Sequence, residues 1–592
     1  MILAVDTETT GTDFYHGCRA FMVTACDGST NYWWQGQVNP YTREVYWDED
    51  DLEDIWNLLS SAKQLIFHNA KFDVLALKMI GLPIESLWHK IHDTIIAAHA
   101  VNAAHDTTEK KEGGGTKRKI VGRTLGLKNL ANEYFGFPND DEEELEEAVK
   151  AARNQAPDSY RIARSGDPCF PAQRNQKWHK MDYWLAPEEC LRYGLGDVER
   201  TWLLWSIFKP ALIEDNLWEV YKKRMYLSRI CYYMTDEGED FNKEEAAVYI
   251  KEVAQTKEEI RQRIKKRFNI KWKLEPSKPA HLISILTTCI GIDRSKLWVS
   301  EKGSIETNKQ AIAHYETITE HPFFDELKAW KIEDARERYI TAYYNWVADD
   351  NKIHGNFNPT GTRETRQSSS DPNQQNRTGV LNRFFRPNPG WMWWDADFAN
   401  IEMRIWAYAV GNPTLTEMFN KNESYHMYVY HTIFPEEAVA YEACKDKSKS
   451  EMSTKELDLA NLYRKIKGFN FGIIYGATES KADETVGRKG SYRKLINKVP
   501  EIEQFTKRLT QQIHENLDKY GVPSVYTLGN YRLPVPIEEP YKASNYYVQG
   551  SAGIITMDAM YNIFTDEDYI DSGSKMYNQT HDSIRIKIPI CN

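Results

Sequence analysis

The chain has 592 residues, 41% of them hydrophobic and 27% charged, a globular composition that excludes a disordered or fibrous protein; the length suits about four structural units. Its net charge, 75 − 86 = −11, argues against a basic DNA-coating protein and leaves room for an enzyme that collects carboxylates to hold metal ions. No run of about 18 apolar residues is present, and the N-terminus MILAVDTET has neither the basic start nor the long apolar stretch of a secretory signal, so no membrane partner is expected.

In chain order, residues 1–210 alternate between strands and helices. Residues 1–5 and 64–67 are short apolar runs ending at polar residues, as buried strands do, and 128–135 and 188–208 are predicted helices. Residues 109–119 (EKKEGGGTKRK) are predicted to form a mobile basic loop, and 140–147 (DDEEELEE) a solvated helix start. From 212 to 349 the pattern is mainly helical. It holds a basic stretch at 261–273 with Phe268 and Trp272 among the charges, which suits a nucleic-acid backbone or a solvated helix face. Polar loops follow Asn351, then a strand–helix unit, a long helical block and a closing hairpin with arms at 575–579 and 584–590. The eight cysteines lack CxxC spacing, so free thiols in a cytoplasmic chain are expected and a structural zinc site is not.

Asp6-Thr-Glu8 follows the first strand, and strand periodicity points both carboxylates to one face. His68-Asn-Ala-Lys-Phe-Asp73 follows the second apolar run and sets Asp73 just inside the next helix. Tyr193 and Asp197 (YGLGD) lie four apart on one helical face. Four carboxylates so delivered can hold two divalent metals for in-line attack on a phosphodiester, with Tyr193 orienting the attacking water. These elements, in this order, resemble the DEDD-type 3′–5′ exonuclease domain in its tyrosine-bearing variant, over residues 1–210. Asp93, in HDTIIAAHAVN, stands where that family also has an aspartate, and GLKNLANEYFG resembles its downstream helix. The resemblance implies an α/β ribonuclease H-like domain acting on single-stranded 3′ ends, with metal held by Asp6, Glu8, Asp73 and Asp197.

In WMWWDADFANIEMR an apolar strand turns into a helix; Asp395 and Asp397 share a strand face, and spacing alone does not choose between them. YRKIKGFNFGIIYG carries Arg464, Lys467, Phe471 and Tyr475 along one helix face. The cations suit triphosphate oxygens and the aromatics suit sugar and base. No GxxxxGK[ST] loop exists, which excludes a P-loop enzyme. His581-Asp582 sits at the turn of the closing hairpin.

Together these segments resemble the palm and fingers of DNA polymerase family A. The resemblance implies a right-hand (palm, fingers, thumb) α+β polymerase domain after the exonuclease domain, with the thumb within 211–350 and palm and fingers within 351–592. By position it selects Asp397 as a metal ligand, with Phe398 beside it, and Asp582 as the second. It makes Lys467 the lysine that grips the incoming dNTP, His426 and Arg464 further phosphate contacts, and Glu402 the residue crowding the sugar 2′ position. Phe471 and Tyr475 then face sugar and template base, while Arg366, Asn373, Gln549 and His581 line the primer-template DNA. Two divalent ions per active site, magnesium or manganese, are implied. So is a setting in the cytoplasm, that of the host if the chain is a bacteriophage replicase.

Three departures stand out. Tyr463 holds the place of the family's fingers arginine, so Arg464 is expected to substitute; Ser583 replaces the glutamate that follows His581-Asp582; and of the family's T-G-R before SSSDPN only Arg366 remains. The chain also ends ten residues past Asp582, where the family continues, so the strand at 584–590 is expected to lack neighbours. A second polypeptide completing the C-terminal palm is expected on that ground, and the alternative reading is a 3′–5′ exonuclease with an incomplete polymerase half.

Overall fold

The computed structural model describes residues 1–101, 125–138, 140–155, 182–300, 303–362, 365–377, 379–448 and 450–590; the basic loop expected at 109–119 lies outside them. The chain forms two compact units, one of Met1–Glu237, Gly355–Asn376 and Pro389–Asn592, the other of Gly238–His354 and Arg377–Asn388. No helix among the described residues is long and apolar enough to cross a membrane, and six described cysteines are in no disulfide.

The first unit opens with a mixed sheet. Strands β1 (Ile2–Thr9), β2 (Ala20–Cys26), β3 (Asn31–Gln35), β4 (Gln64–Phe67) and β5 (Ile91–Asp93) lie in the order β3-β2-β1-β4-β5. β1 runs antiparallel to β2 and parallel to β4, and its burial on both faces explains its unbroken apolar start. The predicted apolar run at 1–5 is therefore only the first half of a longer strand, and Asp6 and Glu8 lie inside the ladder opposite Thr24 and Met22. Helices α1 (Ala70–Met79), α2 (Thr94–Val101), α3 (Leu127–Phe135), α4 (Asp141–Gln155), α5 (Pro187–Glu214) and α6 (Trp218–Glu237) follow. The acidic run at 140–147 does open a helix, as its charge predicts: four acids in the first turn of α4 oppose the positive end of the helix dipole.

In the second unit, α7 (Lys243–Arg267) and α8 (Phe323–Asn345) pack along each other. Lys257 bridges Asp334 at 2.7 Å and Glu337 at 2.5 Å. The basic stretch is partly neutralised here: Arg267 pairs with Glu326 at 2.9 Å, and Arg261 and Lys273 both reach Glu275. Phe268 packs on His321 and Phe323 beside the unit's core, whereas Trp272 is 39% exposed.

The first unit resumes with β6 (Trp391–Asp397), α9 (Ile401–Val410), α10 (Tyr425–Ile433), α11 (Thr454–Ile474), α12 (Ala543–Phe564), β7 (Lys575–Thr580) and β8 (Ser583–Pro589). The last sheet is antiparallel, in the order β6-β8-β7. This corrects the expectation of a strand without neighbours. β8 is the central strand, paired with β6 on one side and β7 on the other, so the argument for a second polypeptide falls with the uncovered strand that carried it. β6 and β7 are the edge strands, and on β6 Met392 and Trp394 are 46% and 47% exposed.

A continuous apolar cluster joins the two parts of this unit: Trp205 and Phe208 of α5, Tyr221 and Ile230 of α6, Met557 and Met560 of α12, and Met576, Ile584 and Ile586 of the hairpin. Each such side chain stabilises the fold by about 1.5–3 kcal/mol when fully buried. Within the same unit Arg224, 1% exposed, donates to the Tyr531 hydroxyl and contacts Nδ1 of His99, both at 2.7 Å, so a buried charge is satisfied by neutral groups.

Helix α11 stops at Gly476, whose φ of +85° is left-handed and where an added Cβ would stand 2.1 Å from the Tyr541 carbonyl oxygen. Gly476→Ala is therefore expected to cost about 1–3 kcal/mol and to lower the thermal unfolding midpoint. An unchanged midpoint would refute this account of the turn.

Candidate active sites

The first site is built at the end of β1. Asp6 and Glu8 leave the same face of the strand, and α1 brings Asp73 against them. Asn69, at φ +80°, turns the chain from β4 into that helix. One carboxylate oxygen of Asp73 accepts from the Thr7 backbone N–H at 3.1 Å and from its hydroxyl at 2.7 Å. Helix α5 supplies Tyr193 and Asp197 one turn apart, and Asp197 accepts from Arg200 at 3.0 Å.

These carboxyls all hold protons more tightly than usual. Lost hydration is the leading cause for each; the charge of Asp197 adds to it at Asp6, and that of Asp6 at Glu8 and Asp73. Asp6 is pushed up to about 7 and Asp197 to about 6, while Glu8 and Asp73 are raised well above the carboxylate range. Burial, then Asp197 and Glu8, push the Tyr193 phenol far up, so it stays a neutral donor. Asp93 does different work: it accepts from the backbone N–H groups of Asn69, Ala70 and Ile95, pinning the starts of α1 and α2.

Sequence reasoning missed the cations here. Lys128 of α3 sits 3.9 Å from the centre of the Tyr193 ring and 2.7 Å from Asp141, and Asp141 also binds Arg200 at 2.7 Å. Lys128 lay in a predicted helix and Asp141 in the acidic run, but only tertiary packing brings α3, α4 and α5 together.

The second site lies at the turn between β7 and β8 and the adjoining end of β6. Asp395 and Asp397 do share a strand face, and cross-strand register separates them. Asp395 stands opposite Arg585, which grips both its oxygens at 2.7 and 3.0 Å, whereas Asp397 stands opposite the neutral Ser583. The Phe398 backbone N–H donates to the Asp582 carbonyl at 3.3 Å and so ties the strand end to the turn. His581 occupies the corner of that turn at φ +57°, exposed to solvent. Partial burial and then the charge of Asp397 raise the Asp582 carboxyl, with Arg366 opposing.

Glu402, in the first turn of α9, is held from two sides: Arg366 and the Tyr475 hydroxyl both donate to it, and Tyr475 also bonds Gln549. Burial and the Glu402 bond push the Tyr475 phenol up to about 12. On α11, Arg464 and Lys467 are exposed and Phe471 is half-buried, with Tyr475 at the helix end. Tyr463, in the place of the family's arginine, lies under the Lys467 ammonium at 5.0 Å and gives it a platform. The His426 ring is 5.8 Å from Phe471, and its Nδ1 meets the Asn470 amide at 2.8 Å. Burial, then Lys467, lower His426 to about 4, so it is neutral at pH 7. Asn373 accepts from the Gln375 N–H in its own loop, and Gln375 ties that loop to the Gln579 carbonyl of β7 at 2.8 Å.

Among the described residues no three His, Cys, Asp or Glu side chains converge closely enough to hold an ion as they stand. The chemistry of the donors nevertheless fits a divalent cation, because Asp6, Glu8, Asp73 and Asp197 are hard oxygen ligands whose buried like charges such an ion would relieve.

Residues 240–590 match the family described as DNA polymerase family A, and residues 2–161 match a 3′-5′ exonuclease family. The DNA polymerase I of Borreliella burgdorferi (strain ATCC 35210 / DSM 4680 / CIP 102532 / B31) is 23% identical over 90% of this chain, and the chain spans only 52% of that relative's length. The DNA polymerase of Mycobacterium phage L5 is 22% identical, with 94% of this chain and 82% of that one covered. A solved structure, the POL domain of Pol1 from M. smegmatis in complex with DNA primer-template and dNTP, matches with a TM-score of 0.69 over 99% of this chain and 89% of its own at 18% identity, which shows a shared fold. The polymerase match spans more than half of the chain, and with the exonuclease match N-terminal to it, the chain belongs to DNA polymerase family A.

Proposed function

We propose that this chain adds deoxynucleotides to a primer 3′ end on a DNA template and removes nucleotides from that end at a separate 3′–5′ exonuclease site. The observation that carries the polymerase reading is the division of labour on β6: Arg585 engages Asp395, leaving Asp397 beside Asp582 at the strand end. In this reading Asp397 and Asp582 hold the metal ions, with Phe398 at the junction. Bound there, divalent ions, magnesium or manganese, lower the pKa of the primer hydroxyl and hold the triphosphate. Lys467 and Arg464 meet the triphosphate charge, and neutral His426 donates to it. Glu402, fixed by Arg366 and Tyr475, closes the space a 2′-hydroxyl needs. Asn373, Gln549 and His581 face the primer-template, and the second unit is the thumb. In the exonuclease site Tyr193 orients the water, and Asp6, Glu8, Asp73 and Asp197 hold the ions. The free thiols suit a cytoplasmic setting. The alternative of an exonuclease with an incomplete polymerase half is disfavoured by the polymerase family match over residues 240–590.

The test is one labelled primer-template in magnesium, with and without dNTPs. Asp397→Ala is expected to lose extension and keep degradation, and Asp6→Ala the reverse. Asp395→Asn is expected to stay within about tenfold of the unaltered chain in extension. Degradation without extension by the unaltered chain would sink the polymerase reading.

A linked prediction concerns metal removal. Asp6 binds its proton more tightly folded than unfolded, so its contribution to stability is lost as pH rises through about 7. In EDTA at pH 8, Asp6→Asn is therefore expected to raise the unfolding midpoint while abolishing degradation when magnesium is restored. A lowered midpoint would contradict the electrostatic account.

A further inference from the structure

The acidic run that opens α4 finds a use in the exonuclease site. Asp141 lies between two cations, accepting from Lys128 and Arg200, each at 2.7 Å. Arg200 also donates to Asp197 at 3.0 Å, and the Lys128 ammonium rests 3.9 Å from the centre of the Tyr193 ring. The side chains of Lys128, Asp141 and Arg200 are only 13%, 24% and 11% exposed, so these pairs are shielded from the screening that makes surface ion pairs weak. Three helices thus contribute one chain of contacts that ends on Tyr193 at one side and Asp197 at the other.

We propose that Lys128 and Asp141 are positioning residues of the exonuclease site: Asp141 holds Lys128 on the Tyr193 ring and Arg200 on Asp197, fixing the water-orienting phenol relative to the metal-binding carboxylate. The inference rests on the exonuclease reading above. Tyr193 and Asp197 are one turn apart on α5, so the helix alone sets their Cα positions. Their side chains need outside partners to lock a rotamer, and the clamp supplies one for each. Asp141 has a second effect. It lies between the Lys128 ammonium, whose charge is felt at Asp6, Glu8 and Asp197, and the Arg200 guanidinium, which is on Asp197. Without it, Lys128 would be free to close on those carboxylates and Arg200 to turn wholly onto Asp197, where it already donates one bond, and both would compete with the metal ions.

The experiment measures degradation of a labelled single-stranded DNA in magnesium, with primer extension by the same protein as the control for folding. Lys128→Met and Asp141→Asn are each expected to lower kcat for degradation by about 10- to 100-fold, the usual loss for an outer partner of a metal-binding side chain. KM for DNA should stay within about twofold, and extension should be unchanged. Asp141→Asn should also raise the magnesium concentration needed for half-maximal rate. Lys128→Arg, which keeps the cation, should recover most of the rate, and the double variant should be no slower than the slower single one. Degradation within about twofold of the unaltered chain in both single variants overturns the proposal. So does a KM rise at constant kcat, which would make Lys128 a direct phosphate contact, and so do losses that add fully in the double variant. Absence of degradation by the unaltered chain refutes the exonuclease reading itself, a result distinct from these.

Discussion

Carboxylates gathered at a strand end must be held together against their own repulsion, and much of this structure follows from that constraint. Two like charges about 5 Å apart, at an effective dielectric of about 20, repel by about 3 kcal/mol. The site at β1 gathers four such groups, and their carboxyls respond by retaining protons. Rigid neighbours supply the restoring force. β1 is buried on both faces, Thr7 anchors Asp73, Asp93 pins two helix starts, and the Lys128–Asp141–Arg200 chain brings positive charge that reaches the cluster through Arg200 on Asp197.

The second site meets the same difficulty with a different device. Its carboxylates are fewer and more open to water, and cations are assigned to particular partners: Arg585 to Asp395, Arg366 to Glu402. Among the described residues the acid on β6 that meets no cation is the one beside the hairpin turn, a difference that strand register makes. Tyr463 under Lys467 and Asn470 on His426 extend the principle to α11, where a cation and a neutral imidazole are each held by one defined contact.

Much of this was legible in the residues. The hairpin arms, the helix carrying Arg464 to Tyr475, and the strands at residues 1–5 and 64–67 announce themselves by period, because each buries one face or both. The basic stretch at 261–273 was ambiguous in sequence for a physical reason: the same Lys, Arg and aromatic pattern serves a ligand or an intramolecular partner. Glu275 and Glu326, distant from the cations they meet or separated by a turn, make part of it internal. The expectation of an unpaired strand at 584–590 failed because, beyond the other arm of its hairpin, it looked for neighbours only later in the chain. The partner was β6, about 190 residues earlier.

By itself the sequence determined which residue types are available and in what local order: acids at strand ends, an amphipathic cation–aromatic helix, a His-Asp turn. Those are properties of spacing, governed by the two-residue and 3.6-residue periods of the backbone. Only the tertiary structure paired Asp395 with Arg585, placed β8 in the middle of its sheet, and brought Lys128 to Tyr193 and Asp141 to Lys128. Those choices depend on strand register and on which helices pack together, and both are set by contacts between residues far apart in the chain, where local periodicity carries no information.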